Sequence, residues 1–260
     1  MLRRLKALPL LLAIAALSIV ATSCSSGNTT KARIVNAMPN IAQYGGALDI
    51  EVNGTQQFSG VTFGTASAST YTNIPSGNVT FEVFQSPGVT TPVFSASTTL
   101  SAGTEYTLVA TGAAGGAGSQ APALLSFSDD NTLPVDGTIN FRVINAALNA
   151  SPSLDGSVDI WIEPYPDNNP ILEPATIQNL AYQSASGYVS VPYNPGGGGF
   201  AVYVYTVGKG FPLITPYYLI NVSGSQTSAS VCTLVLVDSP NSNSMSPSPV
   251  PLNDNNCAVN

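Results

Sequence analysis

Histidine is absent from all 260 residues. Its absence removes His-dependent triads, His-ligated metals and the commonest general base. Positive charge is scarce too: seven Lys and Arg stand against fourteen Asp and Glu. Three of the seven, Arg3, Arg4 and Lys6, sit at the N-terminus, leaving only Lys31, Arg33, Arg142 and Lys209 beyond it. Nucleic-acid binding needs several phosphates met by clustered Lys and Arg, so that function is excluded. A polybasic attraction to anionic lipid is excluded for the same reason. Charged residues make up only 8% of the chain, yet 44% is hydrophobic, which argues for a packed core rather than disorder. A Gly-Lys-Ser/Thr phosphate loop is missing, since Gly208-Lys209-Gly210 lacks the spacing and the hydroxyl. After residue 24 no stretch approaches eighteen uninterrupted apolar residues, the length a membrane-spanning helix needs.

The N-terminus is informative for what it does contain. A basic start, an apolar run from Leu8 to Val20 and the small residues Ala21-Thr22-Ser23 have the order of a secretory signal. Cys24 follows directly, and the arrangement resembles the lipobox of bacterial lipoproteins, with Ala21 where that family usually has Leu. The resemblance implies a signal peptide over 1–23, acylation of Cys24, and a polar tether over 24–31. Acyl chains contribute about 0.8 kcal/mol per buried CH₂, enough in combination to hold a protein firmly at a membrane. Ser25 fits sorting to the outer membrane of Gram-negative bacteria, where an aspartate at that place would signal inner-membrane retention. The expected location is therefore the bacterial cell envelope, lipid-anchored at the outer membrane, either periplasmic or surface-exposed. In that compartment Cys232 and Cys257 are expected to pair, the alternative being two reduced thiols.

The rest of the chain reads as strands. Helix formers are scarce, while β-branched and aromatic residues are common. Leu48, Ile50 and Val52 alternate with Asp49, Glu51 and Asn53, and Val158, Ile160 and Ile162 alternate with Asp159, Trp161 and Glu163. Turn signals such as Asn53-Gly54, Pro87-Gly88 and Ala102-Gly103 recur every ten residues or so, the spacing of a β-sandwich. A second periodicity is longer. Arg33-Ile-Val-Asn-Ala37 returns as Arg142-Val-Ile-Asn-Ala146, and Leu48-Asp-Ile-Glu-Val52 as Val158-Asp-Ile-Trp-Ile162. Ala66-Ser-Ala-Ser-Thr-Tyr71 matches Gln183-Ser-Ala-Ser-Gly-Tyr188, and Tyr106-Thr-Leu-Val-Ala110 matches Cys232-Thr-Leu-Val-Leu236. The expected architecture is all-β, with two tandem antiparallel sandwich (Ig-like) domains over 32–136 and 137–238. A low-complexity tail, stapled back if the cysteines pair, is expected over 239–260.

These motifs, with Phe63-Gly64, Ile74-Pro-Ser-Gly77 and Leu100-Ser-Ala-Gly103, resemble the DUF4397 family, a bacterial envelope domain of unknown function that often occurs in tandem. The second copy departs from the family pattern at Leu148 and at Glu163-Pro164. The resemblance implies a sandwich-like fold and an envelope location, and no chemistry.

Catalysis has few candidates. Asp49 and Glu51 lie two apart on one strand, side chains about 7 Å apart, a separation found in inverting glycosidases. No other cofactor is implied, and calcium has only Asx-rich loops to offer: Asp129-Asp130-Asn131 with Asp136, Asp167-Asn168-Asn169, and Asp254-Asn255-Asn256. Such loops more often serve as turns. Aromatics crowd the second copy, and Trp161, Tyr165, Tyr203 and Tyr205, with Tyr217 and Tyr218, form the candidate binding surface, Trp161 facing outward by alternation. The expected function is non-enzymatic binding or adhesion to a glycan or an envelope protein. The alternatives are a carbohydrate-active enzyme using surface carboxylates and a purely structural spacer. Replacing the lipid-bearing residue tests the anchor: Cys24→Ala should move the chain from the membrane to the soluble fraction, read by detergent phase partitioning and by protease shaving of intact cells.

Overall fold

Two segments of this chain have no polar–apolar alternation, because both of their faces are buried. They are the repeated Arg-Ile-Val-Asn-Ala and Arg-Val-Ile-Asn-Ala runs. The computed structural model describes residues 29–39, 47–67, 70–150, 156–165, 174–193, 199–208, 210, 212–214, 217–220, 229–239, 246–255 and 257. The expected signal, Cys24 and most of the tether lie outside them.

The first eight strands are β1 (Thr29–Asn36), β2 (Ala47–Val52), β3 (Thr55–Thr62), β4 (Thr72–Pro75), β5 (Gly77–Ser86), β6 (Phe94–Leu100), β7 (Glu105–Thr111) and β8 (Ala123–Asp129). They form a sheet of order β4-β1-β7-β8 packed on a sheet of order β3-β2-β5-β6. The next nine are β9 (Thr138–Ala146), β10 (Val158–Tyr165), β11 (Ile177–Leu180), β12 (Ser184–Ala185), β13 (Val189–Pro192), β14 (Gly199–Thr206), β15 (Tyr218–Ile220), β16 (Ser230–Val237) and β17 (Ser248–Asn253). Their sheets run β12-β9-β16-β17, with β13 also on β9, and β11-β10-β14-β15. The protein is thus all-β, two sandwiches in sequence.

Each sandwich has its own core. Ile34, Ile50, Phe81 and Leu108 are among the side chains that fill the first; Phe141, Ile160, Phe200 and Leu234 are among those that fill the second. Most ladders are antiparallel, but β1 runs parallel to β7 and β9 parallel to β16. In both sandwiches this parallel pair lies in the inner sheet. A third cluster joins the two inner sheets, with Val35, Val109, Leu125 and Phe127 meeting Ile144, Val235, Val250 and Leu252. The molecule therefore stacks four sheets, and β1, β7, β9 and β16 point one set of side chains at their own core and the other at the opposing sandwich.

The motif asparagine makes the corner after β1 and β9. Asn36 donates through Nδ2 to the Val61 carbonyl (2.9 Å) and accepts the Met38 N–H at Oδ1 (3.0 Å). Asn145 donates to the carbonyls of Gly156 (2.7 Å) and Leu180 (3.0 Å) and accepts the Ala147 N–H (3.1 Å). A buried amide satisfied on both ends ties the inner sheet to the chain crossing to the outer one.

Serine placement differs from the sequence match. Ser67 Oγ accepts the Ile34 N–H (3.2 Å), whereas the counterpart for Val143 is Ser186 (2.9 Å) and not Ser184. The two connections differ by two residues between that serine and the tyrosine.

Both ends of the expected segmentation shift. Thr29 to Lys31, expected in the tether, already pair with β4 or β7. Part of the expected low-complexity tail is β17, paired with β16 from Ser248 to Asn253. It burns no ladder bond on its prolines: β17 is the sheet edge, where Pro249 and Pro251 can turn their missing donors outward, while Val250 and Leu252 pack into the interface. Cys232 and Cys257 are disulfide-bonded, Cα atoms 5.4 Å apart. Closing that loop adds about 3 kcal/mol by restricting the unfolded chain.

At one end of the interface sits a buried ion cluster. Arg33 and Arg142 point between the inner sheets with only 1% and 3% of their side chains exposed. Arg33 pairs with Asp254 of the second sandwich and lies 3.5 Å from Asp129 of its own. Arg142 pairs in return with Asp129 of the first sandwich. Each Nε donates to a threonine on its parallel neighbour, Thr107 (3.0 Å) or Thr233 (3.2 Å). Each guanidinium also lies over a tyrosine ring, Tyr71 at 4.8 Å and Tyr188 at 5.0 Å. Planarity, multiple donors and stacking together require arginine rather than lysine. Removing one partner strands a buried charge. Arg33→Ala should therefore lower unfolding stability by about 3–5 kcal/mol, while the paired change Arg33→Met with Asp254→Leu should cost clearly less, both read by denaturant titration.

Candidate functional site

With the inner sheets covering one another, the faces turned away from that contact are the outer faces of the β3-β2-β5-β6 and β11-β10-β14-β15 sheets. Both are organised around the aspartate of the alternating motif. Asp49 on β2 accepts the N–H of Gly60 (2.7 Å). Asp159 on β10 accepts the N–H groups of Asn179 (2.7 Å) and Gly208 (2.8 Å). Register shifts interrupt the β2–β3 and β10–β11 ladders at these places. Gly60 and Asn179 adopt φ of 64° and 49°, the left-handed region that bulges use and that glycine and asparagine tolerate. The carboxylate supplies the acceptor that the irregular ladder leaves out. The aspartate motif is thus a scaffold device, with one oxygen of Asp49 and both of Asp159 engaged by backbone.

Around this fixed aspartate the two faces differ. On the first sandwich Asp49 sits opposite Phe84, and Glu51 sits opposite Glu82. On the second, Asp159 sits opposite Tyr205, and Trp161 opposite Tyr203. The same four positions hold two extra carboxylates in one case and three rings in the other.

The rings pack on each other. Trp161 and Tyr205 meet edge to face with centroids 5.4 Å apart, and Tyr217 lies 5.5 Å from both Tyr203 and Tyr165. Trp161 points to the outer face as alternation predicts, but it is only 1% exposed and cannot serve as an open platform. Tyr203 is also buried, at 8%. Half-buried Tyr165, Tyr205, Tyr217 and Ala175 pack against the pair and cover them. The accessible part of the candidate surface is therefore Tyr165, Tyr205 and Tyr217, resting on a Trp161–Tyr203 base. The Tyr217 phenol is held above its ordinary pKa by its hydrogen bond with Tyr165.

On the first sandwich the carboxylates stay open. Asp49 and Glu51 line a groove of about 330 Å³ with Gln56, Phe84, Val89 and Thr90. The Asx-rich loops take other roles. Asp129 and Asp254 are held by arginine, and Asp130 accepts the Thr132 N–H of its own turn (3.0 Å). Among the described residues no group of three His, Cys, Asp or Glu is disposed to hold a metal ion. Asp167 to Asn169 and Lys209 lie outside the described residues.

Residues 30–156 match a family described as a domain of unknown function (DUF4397). No curated protein matches the chain. Among solved structures, one described by alpha-glucan recognition by family 41 carbohydrate-binding modules from streptococcal virulence factors is 11% identical, covering 89% of this chain and 100% of that one, with a TM-score of 0.29. A product complex of a multi-modular glycogen-degrading pneumococcal virulence factor, SpuA, is 14% identical over 91% of this chain and 22% of its own, with a TM-score of 0.27.

The packing assigns Trp161 and Asp159 to stability. Trp161→Ala should destabilise the fold by about 3–5 kcal/mol through the cavity it leaves. Asp159→Ala, orphaning two backbone donors, should cost about 2–4 kcal/mol and Asp49→Ala about 1; equal losses at the two aspartates in thermal or denaturant unfolding would contradict this assignment.

Proposed function

We propose that the chain is a lipid-anchored protein of the bacterial envelope that binds a glycan or a protein through the outer aromatic face of its second sandwich. The observation that carries this reading is the ring cluster of Tyr165, Tyr205 and Tyr217 over Trp161 and Tyr203. It lies on the outer face, turned away from the contact between the two inner sheets, with Tyr165, Tyr205 and Tyr217 only partly buried. Aromatic rings with a buried base and hydroxylated tips offer flat apolar area and hydrogen bonds together, at little cost in side-chain freedom. The role is non-enzymatic in this reading. Anchoring rests on Cys24 and its flanking residues, and outer-membrane placement on Ser25. The recurrence of motif arginine, asparagine, aspartate and tyrosine at matching places in the two sandwiches supports descent from one duplicated unit.

Tyr217→Ala tests the face without emptying its base. Binding of the full chain to purified envelope glycans and to envelope extracts should weaken about tenfold or more, since each aromatic contact contributes about 0.5–1.5 kcal/mol beyond its area. Unchanged binding in Tyr217→Ala and Tyr165→Ala would leave the spacer role ahead.

A further inference from the structure

We propose that the groove on the outer face of the first sandwich is a second, separate binding site, and that it takes a single uncharged sugar residue. It is lined by the apolar Phe84 and Val89 and by the polar Asp49, Glu51, Gln56 and Thr90. This site neither includes the aromatic face of the second sandwich nor depends on it.

The dimensions select a small occupant. At about 330 Å³ the groove lies at the lower end of small-molecule sites, which run from about 300 to 1,000 Å³. That suits one ring rather than an extended polymer. Its position follows from the strand register: Asp49 faces Phe84 across the β2–β5 ladder, so ring and carboxylate are neighbours on one surface. In the second sandwich the corresponding positions are filled by Trp161, Tyr203 and Tyr205 packing on one another. The first sandwich has Glu51 and Glu82 there instead, and the face stays open.

The chemistry of the lining selects the class. Val89 is 44% exposed, one of three large apolar side chains so placed among the described residues, and it stands at the groove with Phe84. The same lining offers acceptors: both oxygens of Glu51, the Asp49 oxygen not used by Gly60, and the Gln56 amide oxygen. A molecule that fits has one C–H face and several hydroxyl donors, which describes a sugar ring. Carboxylates accept from neighbouring hydroxyls with strong, charge-assisted bonds. They also repel acidic sugars. Lys31, Arg33 and Arg142 are each paired with other acids, so none of them neutralises Glu51 or Glu82. Glu51 and Glu82 face each other directly, an arrangement that costs stability in a sheet.

The test uses the full chain with Cys24→Ala and saturation-transfer NMR with glucose, galactose, mannose and N-acetylglucosamine, and with glucuronate as the acidic counterpart. At least one neutral sugar should receive saturation, with glucuronate at least tenfold weaker. Phe84→Ala and the conservative surface change Glu51→Gln should each weaken that signal about tenfold or more, with unfolding midpoints showing that both variants are folded. Val135→Ser, at an exposed side chain that belongs to neither face, should leave it unchanged. Loss in Tyr217→Ala with retention in Phe84→Ala would place sugar binding on the second sandwich, overturning this site while leaving the aromatic-face reading intact. No transfer to any of the neutral sugars, or equal transfer to glucuronate, would also overturn it.

Discussion

Two guanidinium groups placed between two sheets constrain the whole molecule. Taking a charge out of water costs several kcal/mol unless geometry and hydrogen bonds offset it. Here the offset is reciprocal: Arg33 reaches Asp254 of the other sandwich, and Arg142 reaches Asp129 of the first. Neither sandwich by itself completes its own set, and a partner residue i to j contact is answered by j to i, as in a twofold interface. Burial pushes the Asp254 carboxyl above its ordinary pKa, with Arg33 pulling the other way. The cluster therefore fixes orientation and register between the sandwiches, while the apolar contact of Val35, Val109, Val235 and Val250 supplies the area.

The disulfide acts on the same region. Asp254 lies three residues before Cys257, and the Asn255 carbonyl accepts the Val231 N–H beside Cys232 (2.9 Å). The bond thereby holds the segment that carries the second cluster carboxylate. The two outer faces differ in chemistry more than the motif they share suggests. There the aspartates at 49 and 159 keep the bulges, and the residues beside them set the chemistry: glutamates on one sandwich, rings on the other.

Much of the fold was legible in the chain. Alternation around Asp49 and Asp159 identifies the outer strands because one face of each sheet fills its sandwich core while the other carries polar and aromatic residues. The recurring arginine and asparagine runs identify matching strands in the two halves. Three readings from the sequence miss. Ser248 to Asn253 reads as low complexity because composition does not distinguish a solvated tail from an edge strand whose prolines turn away from the ladder. Trp161 reads as exposed because alternation reports which side of a sheet a residue takes, not what covers that side. Arg33 and Arg142 draw no functional reading because a lone basic residue in an apolar strand shows its importance only beside its distant carboxylates. The runs Ile34-Val35, Leu108-Val109-Ala110, Val143-Ile144 and Leu234-Val235-Leu236-Val237, apolar without alternation, were the available signal, since such a strand has both faces covered.

The sequence by itself determined the class of the protein and its local geometry: strands, turns and the exclusion of histidine and polybasic chemistry. These depend on neighbours along the chain and on strand period. Only the tertiary structure decided which aspartates meet the two arginines, that the inner faces are consumed by each other, and that one outer face is filled by rings while the other is open. Those outcomes depend on residues up to 221 positions apart, as Arg33 and Asp254 are, and on packing in the third dimension, which no local pattern encodes.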